Sequence, residues 1–163
     1  MNGSQLTIEY DGMEDRHELY AKFGIAVEAA QLFETDLGTL LLCLHALDNN
    51  WHTLPDGEAA REKLDSIDRS TLGRLLNDLR RHLQIDGDLE ATFTAGLMAR
   101  NRLAHGFFER HNFKIQTGEG RIAMIADLES LHQAVFVAWQ AATQLVSIVT
   151  GIVKMSAEER GSS

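Results

Sequence analysis

Cysteine, proline and signal-like segments are what this chain of 163 residues has least of. Its one cysteine, Cys43, has no partner within the chain. That excludes a disulfide-stapled scaffold and points to a reducing, cytoplasmic setting. Its one proline, Pro55, leaves long stretches without a helix breaker. The opening "MNGSQLTIEYDGMEDR" has neither a basic run nor an apolar one, so no secretory signal is expected. The one long uncharged window is Ala134 to Val153, twenty residues. Within it Gln140, Thr143, Gln144, Ser147 and Thr150 form a polar stripe, and Val135, Trp139, Ala142, Val146, Val149 and Val153 form the opposing apolar face. The pattern predicts an amphipathic core helix rather than a membrane span, and no membrane association is expected.

The formal net charge is −9, unevenly placed. Residues 1–60 hold two basic residues, Arg16 and Lys22, against eleven acids, whereas Met98 to Lys114 holds four basic residues and one acid. So acidic a chain does not offer an extended nucleic-acid surface, which needs many cationic contacts, but it leaves room for a local anion site.

One domain over 1–163 is expected, with 1–12 as an irregular arm in which Leu6, Ile8 and Tyr10 alternate as in a weak strand, and 155–163 as a polar tail. The first long helix is expected from Asp15 to Leu47, with Phe23, Val27, Ala30, Leu37, Leu41 and Leu44 on one face. Glu34 falls on that same stripe, where an aliphatic residue belongs. "DNNWHTLPDG" breaks the pattern, and a short helix is expected over Glu58 to Leu64. Ser70 is the expected N-cap of "TLGRLLNDLRRHL". "LEATFTAGLMARNRLAH" is the third main helix, stopped at Gly106. "FKIQTGEGRIAMI" alternates around glycines as a β-hairpin does, and the last helix is expected from Asp127 to Lys154. The fold class is all-α, a four- to five-helix bundle with a small hairpin insertion after the third main helix.

The stretch "ARNRLAHGFF" carries the chemistry. Arg100 and His105 stand about 140° apart on an ideal helix, but Gly106 lets the chain turn and bring the imidazole round. Arginine offers a permanent charge and a planar fork of donors suited to phosphate. Histidine takes or gives a proton near neutral pH. The pair supplies what metal-free RNA cleavage requires, a proton-transfer group for the 2′-hydroxyl or the leaving oxygen and a cation for the charged transition state. The same residues also suit a plain helix end, with Arg100 and Arg102 complementing the macrodipole and His105 capping the last carbonyls.

"RNRLAH" resembles the R-x4-6-H motif of HEPN domains, including the asparagine directly after the arginine. The resemblance covers the plan from Leu19 to Val153 and implies a small helical bundle. It further implies a metal-independent endoribonuclease leaving a 2′,3′-cyclic phosphate, in a toxin–antitoxin, defence or RNA-processing role. A non-catalytic HEPN-like module that binds a nucleotide or a protein is the alternative. Carried over, Arg100 and His105 are the catalytic pair, with Asn101 orienting them. Glu34 is positioned to pair with Arg100, and Arg102 supports the cluster. No metal and no cofactor are implied. The expected partners are RNA, an antitoxin or defence protein, and a second copy of the chain in a homodimer that doubles the motif beside its axis. Toxins of the family paired with nucleotidyltransferase antitoxins carry a modified tyrosine two residues after the histidine. Phe107 stands there in this chain and has no hydroxyl.

Remaining candidates have ordinary roles. His45, His52, His82, His111 and His132 lack ligand spacing with Cys43 or acids, so no zinc site is expected, and Cys43 reads as a small core residue. "TGEG" lacks the lysine of a phosphate-binding loop and reads as the hairpin turn. Trp51 and Trp139 read as core or interface aromatics, and Phe107, Phe108, Phe136 and Trp139 are the apolar material expected at a dimer interface.

Overall fold

In a computed structural model, the backbone is described from residue 3 to 162 and the side chains from Glu14 onward. The elements are α1 (Gly3–Asp48), α2 (Gly57–Asp68), α3 (Leu72–His82), α4 (Gly87–Ala104), α5 (Phe107–His111), a 3₁₀ turn (Asn112–Gln116) and α6 (Gly118–Gly161). Among the described residues there is no strand.

The long helices α1 and α6 bury matching stripes. Leu19, Ala26, Ala30, Phe33, Leu37, Leu40 and Leu44 lie inside on α1, and Met124, Leu128, Leu131, Val135, Ala138, Ala142 and Val149 on α6. Their steps of three, four and seven are the repeat that keeps one helix face turned toward a partner over many turns. The polar contacts between them give the direction. Asp15 meets Arg121, Lys22 meets Glu129 and Asp36 meets Trp139 at nearly constant sequence separations of 106, 107 and 103, so α1 and α6 run parallel.

Helix α4 returns antiparallel and closes the core. Phe93 stacks on Phe33 with ring centroids 5.8 Å apart, and a Cβ placed on Gly96 would come within 2.4 Å of the Ala138 Cβ. Glycine is therefore needed where α4 crosses α6. Helices α2 and α3 pack on the far half of α1, Ile67, Leu72, Leu75, Leu76 and Leu79 joining Leu37 to Leu44 in the core.

Several expectations are corrected. Helix α1 begins at Gly3, so the stretch read as an arm is helical from there, residues 1 and 2 lying outside the described residues. An alternation of three residues has no strand to pair with and does not hold against an uninterrupted helix. The hairpin is absent, because "NFKIQ" is a 3₁₀ turn and Thr117 starts α6 by accepting the Gly120 N–H at 3.0 Å. Gly120 marks a close approach: a Cβ there would lie 2.0 Å from the Lys114 carbonyl oxygen. Helix α6 thus begins well before Asp127, and it runs on through the stretch read as a tail, where Met, Ala, Glu and Arg are all good helix formers. The N-cap of α3 is Thr71, accepting from the Arg74 N–H at 3.4 Å, while Ser70 donates back to the Ser66 carbonyl.

By length and composition α6 is able to cross a membrane. Here two of its side chains bond to α1, the Trp139 indole donating to Asp36 at 3.0 Å and the Thr143 hydroxyl at 2.6 Å, while Gln140, Gln144 and Ser147 of the polar stripe are exposed.

The glycines separate propensity from packing. Gly24 lies exposed in α1 with open space around a built Cβ, whereas Gly96 does not. Gly24→Ala is expected to raise stability by about 0.5–1 kcal/mol, and Gly96→Ala to lower it by about 1–3 kcal/mol through overpacking. Urea denaturation midpoints check both, and a neutral Gly96→Ala contradicts the close crossing.

Candidate functional site

The sequence cluster lands at the C-terminal end of α4. His105 closes the helix, its backbone N–H donating to the Asn101 carbonyl at 2.9 Å, but its own φ of −126° and ψ of 88° leave the helical path. Gly106 follows in the left-handed region with φ 82°, which glycine adopts without steric cost. The bend starts α5 and leaves the His105 ring exposed, with no side-chain hydrogen bond among the described residues.

Arg100, Asn101, Arg102 and His105 line one open hollow of about 610 Å³. Leu97 and Met98 of α4 and Arg110 of α5 also line it. The start of α3 lines it as well, through Thr71, Leu72 and Gly73. No acid lines it. The neighbouring hollows along α2 differ, one lined by Glu62 and Asp65, the other by Glu34 and Asp68.

Carboxylates lie behind the arginines instead. Glu34 accepts from Arg100 Nη2 at 2.9 Å, both side chains about a quarter exposed, and Asn101 Oδ1 accepts from Arg100 Nη1 at 3.3 Å. The carboxylate on the apolar stripe of α1 therefore does meet Arg100. Among the described residues Asn101 has a side-chain contact with Arg100 and none with His105. Arg102 points to the other long helix, its Nη1 and Nη2 donating to the two oxygens of Asp127 at 2.9 and 2.6 Å. His111 Nε2 meets the same carboxylate at 2.7 Å. Two of the three guanidinium groups are thus matched by a carboxylate. The hollow keeps a net positive charge from the third.

Burial alone would raise the Asp127 pKa, but the hydrogen bonds from Arg102 and then from His111 outweigh it and hold the carboxyl below its ordinary range. Asp127, His111 and Arg110 were not legible as a group from sequence. Arg110 is one of the four basic residues over Met98 to Lys114, but only the turn at Gly106 brings α5 back beside α4.

Phe107 is corrected. It is 2 % exposed, packed on Phe23 and on His111 at ring-centroid distances of 5.7 and 4.7 Å, and is not available at the edge of an interface. An aromatic residue directly after a left-handed turn folds back onto α1 to start α5. Phe108 is half-buried against Tyr20 and Phe23. Phe136 and Trp139 are half-buried on α6, their rings in an edge-on contact. Cys43 is half-buried at the margin of the core, where burial pushes its thiol pKa up. Among the described residues no group of three or more His, Cys, Asp or Glu is placed to hold a metal ion.

Comparison with protein-family models, curated proteins and solved structures finds no match to the chain.

Asp127 ties α4, α5 and α6 together, so Asp127→Asn is expected to destabilise the fold by about 1–3 kcal/mol at neutral pH. The sign follows from its lowered pKa. The contribution is present in full above the unfolded carboxylate value near about 4 and is lost as pH falls through the lower folded value. Urea unfolding at pH 7 and at about pH 3 is expected to show the gap between wild type and Asp127→Asn closing at acid pH. A gap that is constant between the two pH values contradicts the ion-pair assignment.

Proposed function

We propose that the chain is a metal-independent endoribonuclease of the HEPN type. The observation that supports this reading is the convergence of Arg100, Asn101 and His105 on one hollow free of acids, at the end of an inner helix. In the reaction the 2′-oxygen of RNA forms a bond to phosphorus as the bond to the 5′-oxygen breaks. The 2′-hydroxyl proton goes to a base, and a proton reaches the leaving 5′-oxygen. His105 takes one of these transfers. Arg100 stabilises the charge that builds on the phosphoryl oxygens. The Glu34 contact occupies one Nη2 hydrogen and fixes the plane of the fork, leaving other guanidinium donors for the phosphate. The products are a 2′,3′-cyclic phosphate and a 5′-hydroxyl. A toxin, defence or RNA-processing role, acting in the cytoplasm with a protein partner, belongs to the same proposal.

A second reading has its own observation. Arg100 is paired within its own chain to a half-buried carboxylate, the arrangement that favours a non-catalytic module binding a nucleotide or a protein through the same hollow.

The purified protein is expected to cut single-stranded RNA in the presence of a chelator. His105→Ala is expected to lower the rate at least about a hundredfold, and Arg100→Ala by about 10²–10³-fold. Gel analysis of a labelled RNA with end-group mapping reads both rate and product. Cleavage that is unchanged in His105→Ala overturns the catalytic assignment. Absent cleavage with Arg100-dependent binding leaves the second reading in its place.

The same proposal includes an isologous homodimer with Arg100 and His105 near its axis and Phe108 at its edge. Light scattering at about 50 μM is expected to give twice the chain mass, since obligate dimers persist far below that concentration. A monomer there refutes the dimer.

A further inference from the structure

Arg110 is the cation that the motif leaves unused. It is exposed, stands on α5 and lines the same hollow as Arg100 and His105. The other two arginines of the hollow are matched from within the chain, Arg100 by Glu34 and Arg102 by Asp127. Arg110 has no side-chain partner among the described residues. Its backbone is nonetheless fixed, the N–H donating to the Gly106 carbonyl at 2.9 Å, so a free guanidinium is carried on an anchored position. The lining also includes no Phe, Tyr or Trp. A base would find no aromatic face to stack on, while the sugar–phosphate chain would find donors from α4 and α5 in succession.

We propose that Arg110 grips the phosphodiester next to the one held at Arg100, so that the hollow takes a single-stranded oligonucleotide by its backbone rather than a lone nucleotide. This rests on the nucleic-acid reading of the hollow but concerns binding alone, and it stands or falls separately from cleavage. Arg110 is then a specificity residue. It makes the strand's length count and leaves its sequence nearly indifferent.

The test uses a fluorescein-labelled 2′-O-methyl decamer, which lacks the attacking hydroxyl and stays intact. Its binding to the full chain is measured by anisotropy over a salt series. Wild type, Arg110→Ala, Arg110→Lys and Arg61→Ala are compared, with adenosine triphosphate as competitor. Arg110→Ala is expected to weaken binding about tenfold, and the slope of log K against log salt is expected to shrink by about 0.7, the contribution of one phosphate contact on a single strand. Arg110→Lys restores the slope. Arg61→Ala, at an exposed arginine of α2 outside the hollow, leaves the slope at the wild-type value. Because the Arg110 side chain has no partner among the described residues, the variants are expected to keep the wild-type circular dichroism spectrum. Wild type that does not bind the decamer, or Arg110→Ala with wild-type affinity and slope, overturns the proposal. So does adenosine triphosphate that competes as strongly as an unlabelled decamer and weakens by the same factor in Arg110→Ala, because the group recognised is then a nucleotide's own phosphate chain. RNA cleavage, measured apart, decides the catalytic reading whichever way this binding falls.

Discussion

Everything in the molecule hangs on the parallel seam between α1 and α6. Two helices of 46 and 44 residues cannot be held side by side by propensity, which is worth only tenths of a kilocalorie per residue. They are held by repeated burial along a stripe that stays in register over many turns, each large side chain removed from water contributing about 1.5–3 kcal/mol. Parallel neighbours cannot be joined by a short loop. The chain has to travel back, and α4 is that return. Its register is fixed where Gly96 lets it approach Ala138 closely. The end of α4, and with it the Arg–His cluster, is placed by this one crossing.

The cluster is also held electrostatically by the seam. Arg100 reaches to Glu34 on α1, and Arg102 reaches to Asp127 on α6. One carboxylate from each long helix thus fixes one arginine of the motif. Each of these pairs is only partly buried, so its desolvation cost is modest, and each uses hydrogen bonds to a planar fork that limit rotation. The gain is geometric more than energetic. Side chains that would otherwise sweep a wide arc are pinned, at the expense of part of the positive charge they could show a ligand. In a chain with net charge −9, anion binding has to come from such local placement and not from a global field.

How much of this was legible in the sequence depends on the range of the signal. The long amphipathic stripes, the stop at Gly106 and the oddity of Glu34 on an apolar face could all be read, because each is a local departure from a helical period. The start of α6 could not. Ile122 and Met124 alternate as a strand would, but the reason for the neighbouring glycine is the carbonyl of Lys114 six residues back, and a close approach of backbones leaves no mark except the glycine itself. The end of α6 is hidden for the opposite reason: Met155 to Arg160 has no apolar stripe, yet holds nothing that stops a helix before Gly161. Asp127 was visible only as a helix-start acid. Its meeting with Arg102 and His111 depends on the crossing of α4 and α6, which no local pattern encodes.

The same network limits the chemistry of the hollow. Transesterification of RNA needs one group to remove a proton and another to deliver one. His111, the next histidine along the chain, is 8 % exposed, with Nε2 on Asp127 and its ring against Phe107. It is sequestered as a structural partner and cannot face a substrate in the hollow. For the proposed cleavage, a single copy of the fold therefore lines the hollow with one imidazole, His105, against two proton transfers. The second must come from water, from the substrate's own phosphate, or from a second copy of the motif. Burial of His111 is thus what turns oligomeric state into a question of mechanism.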